Sequence, residues 1–212
     1  MKLKHKFIKL TEAQRLYGLD KPIIGLTGGI ATGKSTVTKM LEGQGLVVLD
    51  ADRLVKSIYQ TREAKDFIKG TFPEAWINNE INFQKLRELF FHNPKTKEAV
   101  EGFIYARLPQ AFADAASLNT KQPFHIYDVP LLFEKGLDQK MDLSVLVYAP
   151  RKIQRARLMD RDGHVEDMAE KILNHQMDID EKKLKADFVI DNSAGMSELA
   201  AEVKQFLLQV LE

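Results

Sequence analysis

Apolar positions along the chain fall into two kinds of run. The first kind is short and nearly continuous: PIIGLT (22–27), LVVL (46–49), FHIYDV (124–129), LSVLVYA (143–149) and ADFVIDN (186–192). Runs of this length without strict alternation suit strands covered on both faces. The second kind has helical spacing. In STVTKMLEGQG (35–45) Val37, Met40 and Leu41 share a face, and Gly43 and Gly45 offer the stop. ADRLVKSIYQ (51–60) puts Leu54, Val55, Ile58 and Tyr59 on one face. RKIQRARLMDRDG (151–163) and VEDMAEKILNHQ (165–176) read as two more helices. SELAAEVKQFLLQVLE (197–212) closes the chain as an amphipathic helix with Ser197 as its cap.

Strands alternating with helices predict an α/β fold, a mostly parallel sheet of about five strands with helices on both faces. From about 61 to 120 the strands vanish. INFQKLRELFF (81–91), KTKEAVEGFIYARL (95–108) and an alanine-rich continuation to about 118 predict a helical insertion. The expected organisation is an extension over 1–20, a core from 21–60, 121–150 and 184–212, a helical domain over 61–120 and a helical lid over 151–183. The extension is open between an extra strand, a short helix with TEAQRLYG and a solvated basic arm.

Composition narrows the function classes. A hydrophobic fraction of 44% with 29% charged residues is ordinary for a water-soluble globular chain. A formal net charge of +1 argues against a polyanion binder, so no nucleic-acid partner is expected. The absence of cysteine removes disulfides, thiol catalysis and cysteine metal sites. No apolar run approaches the roughly 18 residues that span a membrane, and lysines interrupt the start, MKLKHKFIKL, so no signal segment is expected. These points lead to the expectation of a cytoplasmic chain without a membrane partner.

GGIATGKS (28–35) satisfies G-x-x-x-x-G-K-[ST] between a strand and a helix. Glycines at 28 and 33 let the backbone curl around an anion, and the N–H groups of Gly29, Ile30, Ala31, Thr32 and Thr36 belong to the same cradle. Lys34 would bring a charge to the β- and γ-phosphates, and the Ser35 hydroxyl would coordinate Mg²⁺. The expected ligand is therefore a nucleoside triphosphate. No Asn-Lys-x-Asp guanine motif follows, and a small core with an arginine-rich lid favours a small-molecule kinase, which must exclude water while it transfers phosphate.

The acceptor belongs beyond the carboxyl ends of the strands. VVLDADRL (47–54) ends a strand there with Asp50 and Asp52. On spacing alone, Asp52 either activates an acceptor hydroxyl or caps the following helix.

TGGIATGKST, VVLDADRLV, YDVPLLFE (127–134), RLMDRDG (157–163) and ADFVIDN, in this order, resemble the dephospho-CoA kinase family over about residues 22 to 195. The resemblance implies ATP-dependent phosphorylation of the 3′-hydroxyl of dephospho-CoA, with ATP and dephospho-CoA as small-molecule substrates. It implies Asp52 as catalytic base, with Asp50 a structural or metal-shell neighbour. Asp128 resembles a Walker-B acid holding Mg²⁺ through water, although a strand-end aspartate also makes turns. Pro130, Leu131 and Leu132 would shape the acceptor pocket by packing, and Glu134 is either a polar ligand there or a helix-start residue. Arg157 and Arg161 fall where the family carries arginines, at i and i+4 on one helical face, and would present guanidinium groups to the nucleotide. Arg151 and Arg155 form a second stripe, expected to be solvated. Asn192 either contacts adenine or makes the turn after the last strand.

The chain departs from the family within the insertion. Tyr105 and Ala106 stand where a His-Pro pair is usual, and Phe83 stands where an arginine is common. Lys85, Arg87 and Arg107 are the available cations nearby. The alternatives are a P-loop kinase acting on a nucleoside, nucleotide or sugar acid, and a nucleotide-binding module without catalysis. Intact Lys34, Ser35 and Asp52 argue against the module.

Overall fold

The computed structural model describes residues 1–118, 121–162 and 165–212. Gly163, at the end of RLMDRDG, and residues 119 and 120, at the end of the insertion, lie outside them. The chain divides into two compact units, Met1–Asp50 with Asn119–Glu212, and Ala51–Leu118.

The first unit is built on five parallel strands: β1 (Ile23–Gly28), β2 (Val48–Asp50), β5 (His125–Asp128), β6 (Leu143–Tyr148) and β7 (Phe188–Asp191), in the order β2-β5-β1-β6-β7. These are the five expected strands, each within two residues of its predicted ends. Every residue of β1 and β6 is buried, which is why their sequences do not alternate. The strand period of two still sorts them. Leu143, Val145 and Val147 join the core under α1 (Lys34–Gly43) and α10 (Met196–Val210), whereas Leu146 and Tyr148 face Ile179 of α9 (Ile179–Lys185) on the other side. Helices therefore cover both faces, as the alternation predicts. Gly195 rather than Ser197 occupies the N-cap of α10, and the Ser197 hydroxyl bonds the side chain of its neighbour Glu198 instead.

The ladder registers decide where a ligand can bind. Asp50 pairs with Asp128, Leu26 with Asp128, Gly28 with Val147 and Tyr148 with Asp191. Both acidic strand ends and the start of the glycine loop therefore share one edge of the sheet, the edge at which parallel sheets bind ligands.

The segment before β1 is neither a strand nor a solvated arm. Three 3₁₀ turns run from His5 to Gly18, and Leu3 bridges to Leu211. Arg15 comes within 2.8 Å of Asp142, and both side chains are nearly sealed from solvent. Asp142 also accepts N–H groups of Lys9, Leu10 and Ile23, each at 3.0 Å. Burial alone would push the Asp142 carboxyl up, but Arg15 and these backbone donors outweigh it and hold the carboxyl below its usual range.

The second unit comprises α2 (Ala51–Gln60), α3 (Arg62–Thr71), α4 (Phe83–His92), α5 (Pro94–Tyr105) and α6 (Leu108–Ser117). Ile58, Ile68, Leu86, Val100 and Ile104 form its core, and Phe67 stacks on Phe103 with centroids 4.2 Å apart. Thr61, Asn82 and Asn93 cap three of its helices through their side-chain oxygens. It is not purely helical. β3 (Trp76–Ile77) and β4 (Glu80–Ile81) form a small hairpin turned by Asn78 and Asn79, both at positive φ. Two adjacent asparagines are able to adopt the left-handed conformation that a two-residue turn demands. Among the described residues, no helix is long and apolar enough to cross a membrane.

Candidate active site

The phosphate loop leaves β1 at Gly28 and enters α1 at Lys34. Two left-handed residues bend it, Ala31 at φ 59° and Gly33 at φ 90°. The cost of a left-handed alanine, about 1–2 kcal/mol, is borne because the loop is held from three directions. Its own Thr32 hydroxyl donates to the Gly29 carbonyl at 2.8 Å. From the sheet, Asn192 Nδ2 donates to the Thr32 carbonyl at 2.8 Å. From α7 (Arg151–Asp162), Gln154 Nε2 donates to the Ile30 carbonyl at 3.0 Å, and Arg157 to the Ala31 carbonyl at 3.3 Å. Arg157 also donates to the Asn192 carbonyl at 2.9 Å.

Above the loop opens a cleft of about 490 Å³. Its floor is the loop and the start of α1, including Lys34, Ser35 and Thr36. Its walls are Pro130, Arg157, Asp160, Arg161 and Gln176. Most expected nucleotide contacts therefore come together: Gly28, Gly29, Ile30, Ala31, Gly33, Lys34, Ser35, Thr36, Arg157 and Arg161 all line it. Thr32 and Asn192 do not. Both are buried, and Asn192, in the turn after β7, supports the cradle through its amide.

Lys34 and Asp128 form an ion pair, and the second Asp128 oxygen accepts the Thr38 hydroxyl at 3.2 Å. Asp128 is 3% exposed. Burial pushes its carboxyl up, Lys34 pulls it down and Asp50, its register partner, raises it; the net direction is upward. For Mg²⁺ the chemistry of the donor set fits. Ser35, whose hydroxyl is a hard oxygen donor, lines the cleft, and Asp128 ends β5 at the same sheet edge. No group of three or more acidic or histidine side chains able to hold a metal occurs among the described residues. Mg²⁺ ordinarily takes most of its ligands from phosphate and water and needs only one or two from protein.

The residues expected around the acceptor are dispersed. Asp50 ends β2 and Pro130 walls the cleft, its carbonyl accepting the Thr27 hydroxyl at 3.2 Å. Leu131 is partly exposed. Leu132 is wholly buried and packs over Gly25, so its place is the core under β1, not the wall of a pocket. Glu134 neither starts a helix nor enters the cleft. Its Oε1 lies 2.7 Å from Nζ of fully buried Lys182 and accepts the Met177 N–H at 3.3 Å. Asp52 falls in the second unit, in the first turn of α2. Within that unit Arg107 pairs with Glu63 and lies over the Phe103 ring, and Lys85 pairs with Glu88 at 2.8 Å. Phe83 and Tyr105, the departures from the family pattern, are both about half exposed.

Arg151 and Arg155 are not a solvated stripe. Arg151 reaches Glu170 at 2.5 Å and Asn174 at 2.5 Å, and Arg155 reaches Glu166 at 2.8 Å, tying α7 to α8 (Glu166–Leu173). Sequence reasoning missed Gln154, Gln176 and Lys182. A signal existed for Gln154, which precedes Arg157 by three and Arg161 by seven and so shares their helical face. None existed for Gln176 or Lys182, whose partners lie far away in sequence.

Comparison with known proteins agrees with this geometry. A family model described as dephospho-CoA kinase matches residues 22–198. A dephospho-CoA kinase from Fusobacterium nucleatum is 37% identical over 186 residues, which cover 87% of this chain and 96% of that protein. One from Helicobacter pylori is 35% identical over 195 residues, covering 90% and 98%. A crystal structure from Thermus thermophilus superposes with a TM-score of 0.80 at 30% identity, over 89% of this chain and 97% of that one. A dephospho-CoA kinase from Campylobacter jejuni superposes with a TM-score of 0.66 at 24% identity, over 88% and 96%, and bears on the fold alone. With a phosphate loop at the carboxyl edge of a parallel sheet and relatives matched over nearly their whole length, the chain belongs to the dephospho-CoA kinase family.

Proposed function

We propose that the cleft over residues 28–36 binds ATP with Mg²⁺, and that Asp52 activates the acceptor. As a member of its family the chain is a phosphotransferase with an alcohol acceptor, using ATP and dephospho-CoA and yielding coenzyme A and ADP. The observation that carries the reading is the set of cations gathered with the loop around one cleft: Lys34, Arg157 and Arg161. Such a set stabilises charge on a transferring phosphoryl group.

In the proposed reaction the 3′-hydroxyl oxygen of the ribose attacks the γ-phosphorus in line. Asp52 takes the hydroxyl proton, the bond from the γ-phosphorus to the β–γ bridging oxygen breaks, and ADP leaves with that oxygen. Lys34 and Arg157 or Arg161 hold the phosphoryl oxygens. Chain continuity supports the role of Asp52, because Asp50, two residues earlier, ends a strand at the loop edge of the sheet. Asp50 itself supports the site. Ser35 and Asp128, the latter through water, would hold Mg²⁺, which when bound offsets the negative charge of the phosphates. We assign the acceptor to the helical domain over 61–120 and the lid to 151–183, and we place the reaction in the cytoplasm, with its supply of ATP.

The test is turnover on a panel of acceptors with ATP and Mg²⁺, following ADP. Release that depends on dephospho-CoA supports the reading. Release that depends instead on a nucleotide or sugar acid would replace it with another small-molecule kinase, and ATP binding without turnover would replace it with a binding module.

A further inference from the structure

Ile30 sits at the crown of the phosphate loop, and both of its backbone polar groups are taken by side-chain amides. Its N–H donates to Gln176 Oε1 at 2.9 Å, and its carbonyl accepts Gln154 Nε2 at 3.0 Å. The two glutamines come from different places. Gln154 is in the first half of α7 and 3% exposed. Gln176 lies in the connection between α8 and α9 and forms part of the cleft wall.

The surroundings are built around this arrangement. A β-carbon at Gly29 would collide with Gln154 Nε2, so a side chain there would push the amide from its place. The side chains of Ile30 and Ala31 pack against Leu158, Ala169 and Leu173, the apolar seam between α7 and α8. Ala31, immediately after the clamped residue, holds its left-handed φ of 59°. Neither end of the clamp floats. α7 is fixed through the Arg157 bonds to Ala31 and Asn192, and the α8–α9 connection is fixed one residue beyond Gln176, where the Met177 N–H donates to Glu134.

We infer that Gln154 and Gln176 are positioning residues for phosphoryl transfer, which act on the nucleotide through Ile30 by fixing the curvature of the phosphate loop. The donor and acceptor roles are specific: the amide at 154 must donate and the amide at 176 must accept. A loop fixed in advance pays no ordering entropy when the phosphates arrive, so the clamp is worth nucleotide affinity and alignment of the γ-phosphoryl beyond its worth to folding. The inference rests on the reading of the cleft as the ATP site, but not on the identity of the acceptor.

The experiment uses Gln154→Met, Gln176→Met and the double variant, isosteric changes that remove the amide. Three quantities are read: the Ile30 amide exchange rate without nucleotide, the Kd for ATP with Mg²⁺ and no acceptor, and Tm. Loss of one such bond predicts a Kd raised about three- to tenfold for each single variant. Because both act on one residue, the double variant should raise Kd by less than the product of the singles. Ile30 exchange should accelerate at least about tenfold in Gln176→Met. Partly exposed Gln176 keeps the test open if the buried Gln154 variant does not fold. Unchanged Ile30 exchange, a Kd within about twofold of the parent in Gln176→Met, or multiplicative effects in the double variant, as two separate contacts would give, would overturn the inference. A parent protein that binds ATP but does not phosphorylate dephospho-CoA would sink the functional reading and leave this inference standing.

Discussion

Asn192 donates its side-chain amide to the Thr32 carbonyl at 2.8 Å, so the turn after the last strand of the sheet holds the middle of the phosphate loop. The same amide occupies the space a β-carbon on Gly33 would need, and Gly33 sits at φ 90°. Gly33→Ala meets both obstacles. A left-handed alanine costs about 1–2 kcal/mol and a lost hydrogen bond about 1 kcal/mol. The expected result is at least a tenfold loss, roughly, in kcat/KM for ATP. Gly43→Ala is the control. Nothing lies within 4 Å of its added carbon, and its activity should match the parent.

Asp52→Asn separates catalysis from a local role in α2, where Asp52 is the second residue and so not the N-cap. An asparagine keeps the shape of the side chain but is no base. We expect kcat to fall at least about a hundredfold, the scale of a lost general base, while the Kd for ATP stays within about twofold. Near-parental kcat in stopped-flow or steady-state assays would leave Asp52 only the lesser role of a carboxylate at the positive end of α2.

Lys34→Met should act on affinity and on pH dependence. A charge-assisted hydrogen bond to phosphate is worth about 1.5–3 kcal/mol, so ATP affinity should drop at least about tenfold. Lys34 also lowers the Asp128 carboxyl, which burial has already pushed up. A carboxyl raised in the folded state binds its proton more tightly there than in the unfolded chain. Stability therefore falls as pH rises through the folded value. Without Lys34 that loss should deepen and reach higher pH, measured as the denaturant midpoint from acid to neutral pH.

Arg15→Ala tests the segment ahead of β1. It leaves the Asp142 carboxylate buried without its charge partner, at a cost of about 3–5 kcal/mol. The folded Asp142 carboxyl lies below its ordinary value of 3.8, so its contribution is present above that pH and lost as pH falls through the lower folded value. The variant should melt at lower temperature and acid-unfold at higher pH. An unchanged melting curve would mean that the segment is dispensable to the fold.

The five strands were legible because each is a compact apolar run, and the loop because its chemistry fixes its spacing. The hairpin at 76–81 was missed because two-residue strands carry no periodicity, although Asn78 and Asn79 marked its turn. Ser197 was misread as a cap because a serine one residue inside a helix looks the same in sequence as one at its boundary. The loop supports were the hardest to see. Gln176 and Ile30, or Lys182 and Glu134, meet only through the tertiary fold, and no local pattern joins residues so far apart. Arg151 and Arg155 show the converse: a basic stripe that reads as solvated is paired because α8 presents Glu166 and Glu170 to it.

The most direct test of the central claim is the product itself. The protein is mixed with ATP, Mg²⁺ and dephospho-CoA, and the acceptor is followed by mass spectrometry and ³¹P NMR alongside ADP. The account predicts one phosphate added to the acceptor, as a monoester on the ribose 3′-hydroxyl, for each ADP formed. ADP without a phosphorylated acceptor, or a phosphate carried at any other position, would contradict it.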